Sequence, residues 1–376
     1  MTYTNQHTTL TGKINYFINV REGMLINYYK NRPYLITKSL SPENQESPVH
    51  FLQPDFISSE YVYRRNHFSF PVITPKNFTL LINGRVNKPL TFHYFDLLKM
   101  PAKTIEMVME CAGNKRAKFK PRIYGEQWED GAITHGRWKG IPLFHLLSFT
   151  EVQEEGQEIV FEGFDAGKQK DNKIVPFARS LPLQNALHPD VLVAYQYNDQ
   201  PLKFKHGFPL RLVVPQWYGM ASVKWLKRIT VTDSPFHGPF QTIDYVYYFK
   251  NKENRNIPVT YMNVNSIIQQ PLDQTIRNKG NQLIKGTAWT GRGNITEVVI
   301  SFDQGKTWRP TLLNKSLAGP YSWVTWQYLW QADKKGEYNI WIRASDSAGR
   351  IQPTKPVWNK KGYGYNAISE VHVKIE

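Results

Sequence analysis

The stretch "TIEMVMECAGNKR", residues 104–116, sets Ile105, Met107, Met109 and Cys111 at every second position. That period of two belongs to a β-strand and puts the four side chains on one face. Ala-Gly-Asn then turns the chain, so Cys111, the only cysteine among 376 residues, falls at a strand end beside a glycine-containing loop. Side chains in such places become available to ligands. Lys115 and Arg116 follow, and positive charge nearby favours thiolate over thiol. A thiolate is a soft metal ligand, although a lone cysteine taken by itself also suits the role of an inert buried hydrophobe.

Around this strand, from 51 to 248, short apolar segments such as "FTLLING", "EIVFEGFD", "VLVAYQYN" and "LRLVVP" alternate with Gly- and Pro-marked loops and brief helical pieces such as "PLFHLLS". The pattern predicts an α+β domain. Residues 1–50 read as an N-terminal extension closed by the turn-rich "SLSPENQESP" at 39–48. The polar stretch "FKNKENRNIPVT", 249–260, is the linker candidate, and it opens a second domain over 249–376. There Tyr338, Ile340, Ile342 and Ala344 share one strand face, as do Val371, Val373 and Ile375. Several such strands predict a β-sandwich of immunoglobulin-like outline.

Composition narrows the function classes. With 41% hydrophobic and 14% aromatic residues, the chain can build a core. No apolar run approaches the ~20 residues of a membrane span, so no membrane insertion is expected. One cysteine cannot form an intrachain disulfide, and the amino terminus lacks the basic-then-apolar pattern of a signal peptide, so the expected location is cytoplasmic. Forty-seven Lys and Arg against thirty-one Asp and Glu give a net charge of +16, which draws anions. No helix-turn-helix, zinc-finger or RNA-binding signature organises that charge, so no nucleic acid is expected as a partner.

"ECAGNKR" at 110–116 resembles the Cys-Ala-Gly-Asn-(Arg/Lys)-Arg segment of the sulfite oxidase family of molybdopterin-dependent oxidoreductases, in its haem-free bacterial type. Further segments carry the resemblance: "YRRNHFSFPV" (63–72), "FEGFD" (161–165), "HPDVLVAYQYNDQPLKFKHGFPLRLVVPQWYGMASVKWLKRI" (188–229), "GTAWTGRGNITEVVISFDQGKTW" (286–308) and "QPTKPVWNKKGYGYNA" (352–367). It implies a molybdopterin-binding domain followed by an immunoglobulin-like dimerisation domain, and hence a homodimer. It implies Cys111 as the protein ligand to molybdenum. Asn66, His67, Asp165, His206, Arg211, Ser222, Val223 and Lys224 would then hold the pterin and its phosphate, a group that needs fixed cations and donors. Arg65, Arg116 and Trp128 would line the pocket for a small oxyanion substrate. Outside that context, His67 and His206 read equally as bonded histidines, Arg211 and Lys224 as surface cations, and Asp165 as a turn cap.

Two positions depart from the family pattern. Phe177 in "FARSLP" stands where sulfite oxidases carry a tyrosine, with no tyrosine between Tyr124 and Tyr195; Tyr124 stands where animal members carry a lysine, with Lys118 and Lys120 close by. The activity implied is oxygen-atom transfer that oxidises sulfite to sulfate. The alternative is a reductase of nitrate or an S- or N-oxide on the same fold, to which both departures lend weight. A basic binding protein without cofactor is the non-catalytic reading. No Cys-x-x-Cys-His occurs and one cysteine is too few for an iron–sulfur cluster, so no haem is expected and electrons pass to an unknown external acceptor.

Overall fold

The computed structural model describes residues 35–53, 55–169, 172–248, 257–314 and 319–376. Residues 1–34 of the expected extension and 249–256 of the expected linker lie outside the described residues. No helix among the described residues is long and apolar enough to cross a membrane.

Strands β1 (Ile36–Leu40) and β2 (Glu43–Glu46) pair as an antiparallel hairpin. Regular structure thus begins earlier than the turn-rich composition at 39–48 suggests. The reason is long-range: Asn44 and Glu46 are buried polar side chains, and their partners lie at Asn66 and Glu129. A local reading sees only polarity and proline there.

Ten strands follow: β3 (Thr79–Gly84), β4 (Leu90–His93), β5 (Lys103–Glu110), β6 (Ile133–Pro142), β7 (Glu158–Lys168), β8 (Ile174–Pro182), β9 (Leu192–Tyr197), β10 (Gln200–Pro201), β11 (Arg211–Val213) and β12 (Leu226–Thr232). One sheet runs β10-β9-β6-β5 with β11 also on β9, and a second runs β4-β3-β12-β7-β8. Only the β12–β3 pairing in the second sheet is parallel. In β5, Ile105, Met107 and Met109 pack with Trp138, Leu192 and Val213, while Val108 faces the larger core. The expected alternation is therefore present, with both faces buried. Helical turns are short; Leu143–Ser148 buries Leu143, Leu146 and Leu147, the i, i+3, i+4 spacing of one helix face.

Beyond a two-residue ladder of β13 (Val246–Tyr247) and β14 (Ile257–Pro258), the chain builds a sandwich. Its strands are β15 (Asn265–Gln270), β16 (Thr275–Arg277), β17 (Gly280–Trp289), β18 (Ile295–Ser301), β19 (Arg309–Pro310), β20 (Leu312–Asn314), β21 (Val324–Ala332), β22 (Gly336–Asp346) and β23 (Ser369–Ile375). The sheets run β15-β17-β21-β20 and β16-β23-β22-β18-β19. Ile340, Ile342, Ala344, Val371, Val373 and Ile375 point between them, as their spacing requires. Strand β15 serves two cores at once. Ile268 enters the sandwich, whereas its neighbour Ile267 joins the first core with Trp289 and Tyr363.

Candidate active site

The Cys111 loop starts where β5 stops pairing. Cys111 N–H donates to Ala132 O at 2.9 Å, and Asn114 N–H returns to Cys111 O at 2.9 Å. Lys115 adopts the left-handed conformation (φ 63°), and Arg116 N–H closes on Gly113 O at 3.0 Å. A Cβ at 113 would lie 2.8 Å from Arg116 Nη2, so any larger residue there would push the guanidinium aside. The thiol is 6% exposed and packs against Tyr63, Trp128 and Ala132.

Both ends of this loop are tied to strands of the sandwich. Glu110 accepts from Trp289 Nε1 at 2.9 Å, from Asn114 Nδ2 at 3.1 Å and from Asn265 Nδ2 at 3.3 Å. Lys115 Nζ donates to Asn265 Oδ1 and to Ser266 O, each at 2.7 Å. The ammonium of Lys115 is thereby turned to the sandwich, so of the two cations expected beside the thiol only Arg116 acts on it, joined by Arg65. Burial outweighs both and pushes the Cys111 thiol up from its ordinary range. The expected bias toward thiolate is therefore not met by the protein alone; a metal held by Cys111 would displace the proton.

A second wall comes from residues 64–67, held by the hairpin. Arg64 and Gln45 exchange backbone bonds at 2.7 and 2.9 Å, and Asn66 N–H donates to Asn44 Oδ1 at 2.7 Å. Lys224 Nζ donates to Asn66 Oδ1 and, at 3.1 Å, to Arg65 O. Arg65 Nη2 lies 3.3 and 3.2 Å from the two ring nitrogens of His67. His67 stacks on Phe177 at 5.4 Å and shares a 2.9 Å hydrogen bond with the Tyr245 hydroxyl. Burial and the cations Arg65, Lys224 and Arg116 hold its imidazole well below the ordinary histidine range, so it is neutral.

The third wall is the 206–224 segment. Arg211 donates to His206 O at 3.0 Å and to Ser222 O at 3.1 Å, and lies over the Trp138 ring at 4.8 Å. Ser222 Oγ accepts from Val214 N–H at 3.1 Å. Burial lowers the His206 imidazole and the Lys224 ammonium and raises the Asp165 carboxyl, with Lys224 and Asp165 partly holding each other charged.

One recess gathers these walls. Arg65, His67, Cys111, Asp165, His206, Arg211, Ser222 and Lys224 line it, together with Phe177. Four other expected site residues do not. Asn66 supports the wall from behind through Lys224, and Val223 is core. Trp128 packs behind Cys111, and the Arg116 guanidinium is bound to Glu126 O and Lys361 O, both at 3.1 Å, over the Tyr363 ring.

Sequence reading missed Tyr63 and Tyr245, which bring hydroxyls to the recess from outside the tyrosine-free window. Their segments carry no pattern of their own, and only Tyr63's place beside the Arg-Asn-His motif marks it. Tyr124 is 100% exposed and Lys118 Nζ is paired with Asp130 at 2.7 Å, so neither substitutes at the recess.

The chemistry of this lining fits a phosphate-bearing pterin with a metal. Three cations, the buried Arg211 and the half-buried Arg65 and Lys224, face one carboxylate, an excess that calls for an anion. Asp165 Oδ1 is buried without a hydrogen-bond partner among the described residues, free to accept from a ligand N–H. Cys111 is the one thiol among the lining residues, and as a thiolate it is a stronger soft donor than the thioethers of Met109 and Met220.

Comparison with known proteins agrees with that fit. Residues 67–240 match the family model of the oxidoreductase molybdopterin binding domain, and residues 256–376 match the Mo-co oxidoreductase dimerisation domain. The fold and site therefore define a molybdopterin-type oxidoreductase. The chain is 32% identical over 365 residues to the mitochondrial sulfite oxidase of Rattus norvegicus, covering 91% of this chain and 66% of that protein. It is 32% identical over 352 residues to the sulfite oxidase of Gallus gallus, covering 88% and 76% respectively. The crystal structure of the sulfane dehydrogenase SoxCD from Paracoccus pantotrophus superposes with a TM-score of 0.79 at 30% identity, over 90% of this chain and 86% of that one. The chain belongs to the sulfite oxidase family of molybdopterin-dependent oxidoreductases.

Proposed function

We propose that the protein is a molybdenum-cofactor enzyme that oxidises sulfite to sulfate and passes the electrons to an external acceptor. The observation that carries this reading is the convergence of the single thiol, Cys111, with the cations Arg65, Arg211 and Lys224 on one recess. The bound cofactor supplies oxygen-atom transfer and takes up the two electrons released.

The chain's own residues bind and orient. Cys111 offers the metal its thiolate. Arg211, Lys224, His206, His67 and Ser222 present donors to the pterin and its phosphate, and Asp165 an acceptor, with Asn66 and Val223 fixing the segments that carry them. Arg65 remains charged at any working pH and turns a guanidinium toward a small oxyanion. Arg116 adds positive charge from one residue layer away, and Trp128 fixes the thiol from behind. Phe177, Met109 and Met220 supply apolar lining, which keeps the polar contacts strong by limiting water.

The reading extends to a homodimer through the second domain, to a cytoplasmic location in keeping with the lone cysteine, and to domain limits of 1–50, 51–248 and 249–376. Protein from a cofactor-competent host tests it: stoichiometric molybdenum together with sulfite-dependent dye reduction is the expected result. Molybdenum with nitrate or S-oxide reduction and no sulfite turnover would transfer the assignment to the reductase alternative.

A further inference from the structure

If sulfite is the substrate, its oxidation with water to sulfate releases two protons and two electrons, and the electrons must leave the protein. The outer side of the Cys111 loop offers a surface for that step. Arg116 is bound there to Lys361 O, in surface segment 353–361, and to Glu126 O, at the residue that follows surface segment 120–125. The segments touch each other, with Trp358 Nε1 donating to Pro121 O at 3.2 Å.

Together they carry Lys120, Arg122, Lys355, Lys360 and Lys361 and not one carboxylate. Nearby acids are already engaged: Asp130 with Lys118 at 2.7 Å, Asp244 with Lys361 at 3.5 Å, and Glu126 with Asn44 at 3.1 Å. Lys120, Arg122, Lys355 and Lys360 are exposed and form no ion pair among the described residues. Among these charges stand two exposed apolar side chains, Tyr124 at 100% and Val357 at 65%. A small anion such as sulfite gains nothing from an exposed ring and an exposed valine. A protein face does, because aromatic anchors within a charged rim are how interfaces combine affinity with steering.

We infer that segments 120–125 and 353–361 form the docking face for an acidic, one-electron carrier protein, which rests on the sulfite-oxidising reading above. Two encounters empty the site, each carrier leaving with one electron. The contact is small and electrostatically steered, as weak electron-transfer encounters are.

The test uses the full-length holoenzyme and the triple variant Arg122→Glu/Lys355→Glu/Lys360→Glu, with an acidic plastocyanin, a basic cytochrome c and a small phenazinium dye as acceptors. With plastocyanin, wild-type kcat/KM should exceed that with cytochrome c at low salt and fall about tenfold or more as salt is raised. The variant should start about tenfold lower and lose that salt dependence, with dye-linked sulfite turnover unchanged. An unaltered plastocyanin rate in the variant overturns the docking face, and so does an equal loss with the dye, which would put these cations in sulfite capture. Calorimetric binding of plastocyanin to both proteins decides the surface without turnover: equal affinities overturn it, whereas absence of dye turnover in the wild type counts against sulfite as substrate and not against the face.

Discussion

Glu110 and Trp289 meet at 2.9 Å, the carboxylate accepting from the indole N–H across 179 residues of sequence. The residue next to the proposed metal ligand is thus held by a strand of the sandwich. Asn265 completes the bracket by bonding both Glu110 and Lys115.

Lys115→Met removes a buried cation and its two 2.7 Å hydrogen bonds, while Asn265 Oδ1 keeps Ser266 N–H and Ser266 O keeps the Ser369 hydroxyl as donors. The loss expected is about 2 kcal/mol of stability, since hydrogen bonds from a charged donor are given up inside a buried network. A denaturant midpoint lowered by no more than a surface substitution lowers it would show that the bracket is dispensable.

Cys111→Ser should abolish molybdenum retention and turnover while leaving the circular dichroism spectrum and melting profile close to wild type. Serine fits the space, but an alkoxide is a harder and less available ligand than a thiolate. Stoichiometric metal in the purified variant would remove Cys111 from the ligand role.

Arg65→Lys keeps the charge and gives up the forked pair of donors. The expected result is a sulfite KM raised about tenfold or more, with molybdenum content retained and kcat changed less. An unchanged KM would place the oxyanion elsewhere in the recess.

Stability should fall in mild acid through His135. Burial lowers this imidazole from its ordinary 6.5 to about 4, while its Nδ1 bonds Asp55 O and its ring lies by Trp323. Between those values the unfolded chain takes up a proton that the folded chain refuses, so the contribution is complete above 6.5 and disappears as pH falls toward 4. The size is up to about 3 kcal/mol, and His135→Gln should flatten the slope of melting temperature against pH in that window. A slope equal to wild type would assign it to other groups.

Much of this was legible in the chain before any coordinates. The spacing of Met107, Met109 and Cys111 and that of Ile340 and Ile342 announce strands because periodicity is local. The recess residues from Arg65 to Lys224 stand within motifs that resemble the family's. What escaped reading depends on partners far away in sequence. Lys115 looks like a cation for the thiol until Asn265 and Ser266 are seen to hold it, and Asn44 looks like part of a turn until it meets Asn66. Tyr245 reaches His67 from 178 positions downstream, with no motif to mark it.

The bracket around the thiol also sets an order of events during synthesis. Cys111 leaves the ribosome 154 positions ahead of Asn265 and 258 ahead of Ser369, both of which the neighbouring Lys115 needs at its side chain. A nascent chain that displays every pterin-facing residue still has an unfinished ligand loop. Cofactor retention is therefore expected to require a finished sandwich, and a premature stop within it should leave the loop without its bracket although the recess residues are all present.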